Sequence, residues 1–408
     1  MDVVVTSFGS AGDFNPLLAI AHALVRRSVG VSFVANPFYE ERVRATGSRF
    51  VPAGDRIDVF GVLASDRRYV DPLTGAFALW RDLAVPSIRA TYPAVLETVR
   101  TVGAAAVVSH MTAYGGTWAA EAARVPSVLV TTTPWAWFSR RNPAVFGRRR
   151  LPRIVQSWQS AATSLAIGMT LGRSLQRLAG ELGIGITADI MRDSARRAAL
   201  NVGLWPDWLR GPSPDDPPRA VPCGFAFDPI DAPVSGDVER FLRAGTPPVV
   251  VGFGSAFILH AADRFRAAAL ACERIGRRCL LIGAPPDLVP ATPDRMIVPS
   301  APYARVFPHA ALVVHHGGFG TSAEALRAGK PSVVTPFAFD QFDTGARLED
   351  AKLGIWYRDA VDRPDALAAA FARALGDDAL RIAAAGAAAR IAAQGNGAGR
   401  AAELVSAL

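Results

Sequence analysis

The sequence predicts an α/β protein made of two doubly wound parallel-sheet domains that face each other across a cleft. Three observations carry that expectation. Short apolar runs closed by glycine alternate with helical patterns from residue 2 to residue 132. The same alternation restarts near residue 247. Between them the prolines crowd, from Pro206 to Pro248, a composition shift suited to an interdomain connection. At 408 residues the chain is long enough for two or three domains, each with its own core.

The elements follow in order. "DVVVTSF" (2–8) reads as a buried parallel strand, because it is short, apolar and closed by glycine. Asn15 and Pro16 read as an N-cap and a first-turn proline, opening a helix that runs to about Arg27. "GVSFVA" (30–35) is a strand, and "PFYEERVRATG" a short helix ending at Gly47. "AAAVVSH" and "PSVLVTT" are two more strands with a helix between them. From residue 134 to residue 200 the alternation gives way to Arg-rich, apolar helical material, expected as an insertion that walls the cleft. These parts make a first domain over 1–225, a linker over 226–246 and a second domain over 247–408. In that second domain "PPVVVGFGS", "CLLIG", "MIVP", "ALVVHHGG" and "SVVTPF" are strands, and three helices finish the chain. The last of them is expected to pack back on the first domain. Strands separated by helices imply parallel pairing, with ligands outside the carboxyl ends of the strands.

Composition narrows the class. Half of the residues are hydrophobic, which excludes broad disorder. The formal charge is +8, carried almost wholly by Arg. The arginines are dispersed and no recognition motif accompanies them, so no nucleic-acid partner is expected. Cys223, Cys272 and Cys279 form no Cys-x-x-Cys pair, which argues against zinc and against a disulfide scaffold. Met1-Asp2 runs straight into a strand pattern without a leader's basic and apolar regions, so a cytoplasmic protein is expected. Residues 154–172 hold no charge and are flanked by Arg148, Arg149, Arg150, Arg153 and Arg173. Their Gln, Ser and Thr content opposes a membrane span. A partly buried helix pair is one expectation; a helix in peripheral contact with the inner membrane face or with a greasy substrate is the other.

Chemistry concentrates in "VVHHGGFGTSAEAL", residues 313–326. A strand ends in two histidines, glycines allow close approach to the backbone, and Thr321 and Ser322 open a helix. Unpaired N–H groups and the dipole at such a helix start suit a phosphate or diphosphate. This is not a P-loop, since Gly-x-x-x-x-Gly-Lys-Ser/Thr is absent. One strand later come Asp340 and Gln341. A carboxylate beside a carboxamide can grip vicinal hydroxyls, or can simply cap the following helix.

These two clusters, in this order, resemble the donor signature of nucleotide-sugar-dependent glycosyltransferases of the GT-B fold, whose halves are Rossmann-like. More narrowly the chain resembles the UDP-glycosyltransferase and antibiotic glycosyltransferase family (GT1-like). Its "HGGFGTSAE" is specific to that family, and "LWPDWL" and "CGFAFD" are similar to rhamnolipid-type rhamnosyltransferases. The resemblance covers nearly the whole chain and implies roles. His316, with Gly318, Gly320 and Thr321, would bind the donor's diphosphate, Ser255 lying near it. Glu324 would hold the ribose, and Asp340 and Gln341 the sugar. The loop from Val298 through Ser300 to Tyr303 would clasp the base. One departure stands out: Thr344-Gly345 replaces an Asn-Ala that the family often carries.

The resemblance also implies the reaction. A dTDP- or UDP-sugar would give its sugar, with inversion, to a hydroxyl of a lipophilic small molecule or lipid, as in other hexosyltransferases. The leaving diphosphate needs charge stabilisation and no proton. No metal site and no cofactor are therefore expected. The acceptor hydroxyl needs a general base. In "GSAGDFNP" after the first strand, Asp13 is the leading candidate, since antibiotic-type and rhamnolipid-type members resemble this chain in placing an aspartate there. His110, ending a strand near the cleft, is the second candidate, as base or acceptor contact. The acceptor is expected against Phe14, Phe60, Trp80, Met111, Trp135 and Phe138, within first-half segments that also hold Phe77, Trp137, Phe146 and Trp158. Those aromatics could equally be core. The oligomeric state stays open between monomer and homodimer. Two other classes compete: a nucleotide-sugar epimerase of the same fold, and a non-catalytic partner that keeps the fold without turnover.

Overall fold

The structure, a computed structural model, describes residues 1–408 except 72–73, 231, 255–259, 291 and 360–362. The first sheet has seven strands: β1 (Asp2–Thr6), β2 (Gly30–Ala35), β3 (Arg49–Pro52), β4 (Ala106–His110), β5 (Ser127–Thr131), β6 (Leu200–Gly203) and β7 (Ala220–Pro222). They pair in parallel in the order β3-β2-β1-β4-β5-β6-β7. The second sheet has six: β8 (Val249–Gly252), β9 (Cys279–Ile282), β10 (Arg295–Val298), β11 (Leu312–His315), β12 (Ser332–Val334) and β13 (Gly354–Trp356). Their order is β10-β9-β8-β11-β12-β13, again parallel throughout. The chain thus forms two doubly wound α/β domains.

The valine runs explain the central strands. Val3 and Val5 share a core with Leu17 and Leu24 of the helix Ala11–Val25. Val4 packs on the opposite face with Val95 and Val99 of the helix Val85–Val102. A strand covered on both faces is apolar at successive positions, which is the pattern of a buried parallel sheet.

Two expectations change. The first helix begins at Ala11, not at Asn15-Pro16, and Pro16 lies inside it. The reason is a capping box: the Ser10 side chain receives the N–H of the third helical residue, and the Asp13 carboxylate receives the Ser10 N–H at 2.9 Å. Residues 154–172 belong to one 29-residue helix, Arg153–Glu181, rather than a helix pair. Within 226–246 the chain is partly helical. Gly236–Arg243 is capped by Ser235, and Val238, Phe241 and Leu242 pack with Val250, Leu280 and Phe307 of the second domain.

An apolar cluster joins the domains. Trp137, Trp205, Phe225 and Phe227 meet Phe319, Leu326, Leu348 and Ile391. The C-terminal helix Gly397–Ser406 crosses back, placing Ala398, Ala401, Ala402 and Val405 in the first domain's core against the helix Ala11–Val25. Its first residue has no room for a side chain. A Cβ on Gly397 would sit 2.3 Å from the Gly224 carbonyl oxygen, and the Gly397 N–H donates to the Phe225 carbonyl at 2.7 Å.

Gly397→Ala is therefore expected to destabilise the protein by about 1–3 kcal/mol, the usual cost of overpacking. Gly399→Ala, in the same helix with open space around it, should be neutral or stabilise by up to about 1 kcal/mol. Urea denaturation of both variants checks the contrast, and equal effects would remove the close-approach account.

Candidate active site

Each sheet reverses its strand order beside its first strand, between β1 and β4 and between β8 and β11. Crevices open outside the carboxyl ends of strands at such points. Here the two crevices merge into one cavity of about 1440 Å³ lined by both domains.

In the first domain the loop after β1 and the end of β4 meet at that point. Asp13 lines the cavity, with its side chain about one-third exposed. Its Oδ2 accepts from the Ser10 N–H at 2.9 Å and the Ser10 hydroxyl at 3.1 Å. Its Oδ1 faces Nε2 of His110 at 3.7 Å. Asp13 thus caps its own helix with one oxygen and leaves the other toward His110 and the cavity. His110 is fully buried. Its Nδ1 meets the Thr112 hydroxyl at 2.7 Å and its Nε2 the Thr132 hydroxyl at 3.2 Å. Burial lowers its pKa, the Asp13 charge opposing in part, so the ring is held neutral at neutral pH. His110 does not line the cavity; it stands behind Asp13.

The opposite wall is polar backbone. Gly318 is the N-cap of the helix Phe319–Arg327, and Gly318, Gly320 and Thr321 line the cavity beside His316. The His316 ring is wedged between two glycines. A Cβ on Gly254 would come within 2.6 Å of it, and one on Gly318 within 2.2 Å. Glycine is required at 254 for its conformation as well, with φ +68°. Burial, and then the neighbouring His315 and Arg264, bring the His316 pKa down to about 3. His316 is therefore a neutral hydrogen-bonding ring. His315 points elsewhere, its Nδ1 accepting the Gly317 N–H at 3.1 Å. Ser322 turns inward too, its hydroxyl donating to the Gly318 carbonyl at 3.1 Å.

Asp340 sits at the N-cap position of the helix Gln341–Asp350, yet its side chain makes no cap hydrogen bond. Its carboxyl instead meets the Thr133 hydroxyl of the first domain. Burial pushes its pKa up to about 7, against the Thr133 hydrogen bond and with help from the Asp13 charge. Oε1 of Gln341 accepts from the N–H groups of Phe337 and Ala338 at 2.7 and 3.2 Å. That leaves its NH2 as the donor on the cavity side. Glu324 lines the cavity paired with Arg327, whose guanidinium lies 4.2 Å over the Phe227 ring. Burial raises the Glu324 pKa and Arg327 opposes it. Gly345 has a packing role: a Cβ there would lie 2.9 Å from the Trp356 indole.

Of the loop after β10, Ser300 and Tyr303 line the cavity. Tyr303 stacks on Phe307 at 4.5 Å, and its hydroxyl, pushed up to about 12 by burial, bonds the Gly254 backbone. Val298 does not reach the cavity; as the last residue of β10 it packs on the second domain's core. Ser255 and the side chain of Phe60 lie outside the described residues.

On the first-domain side, Trp80, Met111 and Trp135 line the cavity, joined by Leu63, Tyr69, Phe77, Trp137, Phe146 and Ile167. Two expected members are core instead. Phe14 is fully buried, stacked on Tyr39 at 3.7 Å, because it lies on the inward face of the first helix. Phe138 is 1% exposed and packs edge-on to Trp135 at 5.1 Å. Trp158 is on the outer surface, 65% exposed.

Sequence reasoning missed Arg264 and Thr133. Nη1 of Arg264 donates to the Thr335 and Pro336 carbonyls at 2.7 and 3.1 Å, under the Phe337 ring. Burial brings its pKa down to about 9. Nothing local marks it, since it lies in the ordinary-looking helix Ala262–Arg274.

Comparison with known proteins accords with this geometry. Residues 3–139 match the glycosyltransferase family 28 N-terminal domain, and residues 284–407 the C-terminal domain of the erythromycin biosynthesis protein CIII-like family. Glycosyltransferase GtfC of Amycolatopsis orientalis is 29% identical over 383 residues, covering 92% of this chain and 90% of that protein. The calicheamicin glycosyltransferase CalG4 shares the fold, with a TM-score of 0.74 at 22% identity over 100% of this chain and 97% of that one. Glycosyltransferase VinC, solved in complex with dTDP, superposes with a TM-score of 0.67 at 16% identity, over 100% of this chain and 99% of that one. The chain is a glycosyltransferase, with a family 28 N-terminal domain and an erythromycin CIII-like C-terminal domain on the GT-B fold.

Proposed function

We propose that this enzyme transfers a sugar, with inversion and without a metal ion, from a dTDP- or UDP-sugar to a hydroxyl of a lipophilic acceptor. The observation that carries the proposal is the contrast between the two walls of one cavity. The second domain offers a helix N-terminus, a neutral histidine and a carboxyl–carboxamide pair. The first offers a carboxylate surrounded by Trp, Phe, Leu and Met side chains. The dTDP held by VinC supports a nucleotide donor on the polar wall.

In this reading the diphosphate lies against the N–H groups that open the helix Phe319–Arg327, with His316 donating one hydrogen bond. The buried Arg264 adds positive potential behind it. Glu324 takes the ribose hydroxyls. Asp340 and the Gln341 NH2 grip the sugar, and the turn from Pro299 to Tyr303 covers the base. The acceptor O–H donates to Asp13, and its proton passes to that carboxylate as oxygen attacks the anomeric carbon. The bond from that carbon to the phosphate oxygen breaks, and its electron pair stays on the diphosphate, where the helix dipole and His316 stabilise it. A single displacement inverts the centre. His110 stands beside Asp13 as a neutral neighbour.

Asp13→Asn should lower turnover by about 10²- to 10⁴-fold, the usual value of a general base, while nucleotide affinity stays within about twofold. His316→Ala should instead weaken nucleotide binding by roughly 10- to 100-fold, the worth of a hydrogen bond to a charged group. Calorimetry with dTDP and UDP, and mass spectrometry of sugar transfer to hydrophobic alcohols and phenols with and without chelator, read both effects. Retention of most turnover by Asp13→Asn would reassign the base. Loss of turnover on chelation would remove the metal-free mechanism.

Asp340 makes a separate prediction for the substrate-free protein. Its folded pKa, about 7, lies above the ordinary value of 3.8, so the folded form binds the proton more tightly. Stability is then lost as pH rises between those values and stays low above them. Asp340→Asn removes that loss and should stabilise the protein more at alkaline pH than near the acid end of the window. Urea midpoints of the variant and the parent at both ends test this; a gain independent of pH would contradict the buried-carboxyl account.

A further inference from the structure

The helix Arg153–Glu181 has two apolar faces. Thr163, Ile167 and Leu171 line the cavity on one side. Ile154, Trp158, Leu165 and Met169 stand on the other, 70%, 65%, 63% and 64% exposed. Leu165 and Met169 are each two residues beyond Thr163 and Ile167, or about 200° around the helix, so the faces are opposed. The exposed row spans ~22 Å along the axis. Water has no reason to favour such a row, and a contiguous exposed apolar patch marks an interaction surface.

The charges around the row indicate its partner. The helix carries no acidic residue before Glu181. Exposed Arg173 and Arg177 continue it at the C-terminal end, and exposed Arg149 and Arg153 flank the N-terminal end. Arg140 lies 5.6 Å over the Trp158 ring. Among the described residues no helix is long and apolar enough to cross a membrane. An apolar stripe with an indole, bounded by cations on a helix without an acidic residue before Glu181, matches the interfacial zone of a bilayer with anionic headgroups: side chains enter the acyl boundary and arginines stay at the phosphates.

We propose that the outer face of the helix Arg153–Glu181 docks on an anionic lipid surface, with the helix lying in the plane of the headgroups. The same helix then separates the membrane from the apolar half of the cavity, and a lipophilic molecule dissolved in the leaflet has one helix width to cross. The inference adds to the acceptor proposal without depending on it, because docking requires neither donor nor turnover.

Flotation of the full chain with vesicles, no substrate present, tests it. The probe is phosphatidylcholine containing about a third phosphatidylglycerol, beside phosphatidylcholine alone. The chain should bind the anionic vesicles at least about tenfold more tightly and be released by high salt. Combining Ile154→Ser, Trp158→Ser, Leu165→Ser and Met169→Ser should abolish flotation with the circular dichroism unchanged. Combining Arg149→Gln, Arg173→Gln and Arg177→Gln should weaken binding by roughly 100-fold, at about 1 kcal/mol per charge removed near the surface. If the serine variant misfolds, the arginine variant and the salt dependence still decide. Absence of flotation, flotation unaffected by both variants, or a dimer in light scattering that only the serine variant dissociates would each overturn the proposal. The last outcome would make the face a contact between two copies. Loss of transfer activity with flotation intact would count against the acceptor proposal and leave this one standing.

Discussion

The structure depends on one topological constraint applied twice. In each sheet the chain winds outward from its first strand, returns, and winds the other way, so the loops after β1 and β4, and after β8 and β11, diverge. Divergent loops cannot fill the space between them, and a crevice results. The residues to which the proposed chemistry is assigned are brought to one edge by that geometry. Asp13 follows β1 and His110 ends β4; Gly254 follows β8 and His316 follows β11. These pairs are far apart in sequence and adjacent in space because parallel strands bring their carboxyl ends to one edge.

Close packing then sets the detail. His316 stands where it does because residues 254 and 318 carry no side chain to displace it. Asp13 is oriented because its helix needs its first N–H groups satisfied, so one oxygen is held by Ser10. In the proposed mechanism a capping role and a chemical role coexist in one carboxylate: the capping bond lowers its freedom and aims the remaining oxygen. Asp340 shows the reverse. It occupies a cap position without capping, and its carboxyl reaches across to Thr133 of the other domain.

Much of this was legible in the sequence, for physical reasons. Buried parallel strands have to be continuously apolar, so "DVVVT" and "GVSFVA" were readable, and helix starts that face ligands are marked by glycine and hydroxyl residues. Short or mixed elements were not. β3 (Arg49–Pro52) mixes charge, an aromatic and proline at a sheet edge, and β13 (Gly354–Trp356) has three residues. Phe14 and Phe138 were misplaced because an aromatic next to a cleft loop looks the same whether its ring turns in or out. Asn15-Pro16 has the composition of a helix start, and the Ser10–Asp13 pair, which is the actual start, gave a weaker local signal. Arg264 was hidden because its significance comes from carbonyls contributed by residues 335 and 336.

The C-terminal helix has a consequence for motion. The chain passes from one domain to the other in the stretch before Gly236–Arg243, and passes back at Asn396-Gly397, where the backbone touches Gly224 and Phe225. Two crossings act as two pins of a hinge. Separation by translation would pull at both and break the Gly397–Phe225 hydrogen bond, whereas rotation about the line through them disturbs neither. Any opening of the cavity would then be a rotation about that line, and it would also have to part the cross-domain contacts that lie away from it, among them the Val145 N–H to Asp343 at 3.1 Å and Arg347 to the Asn142 side-chain oxygen at 3.2 Å.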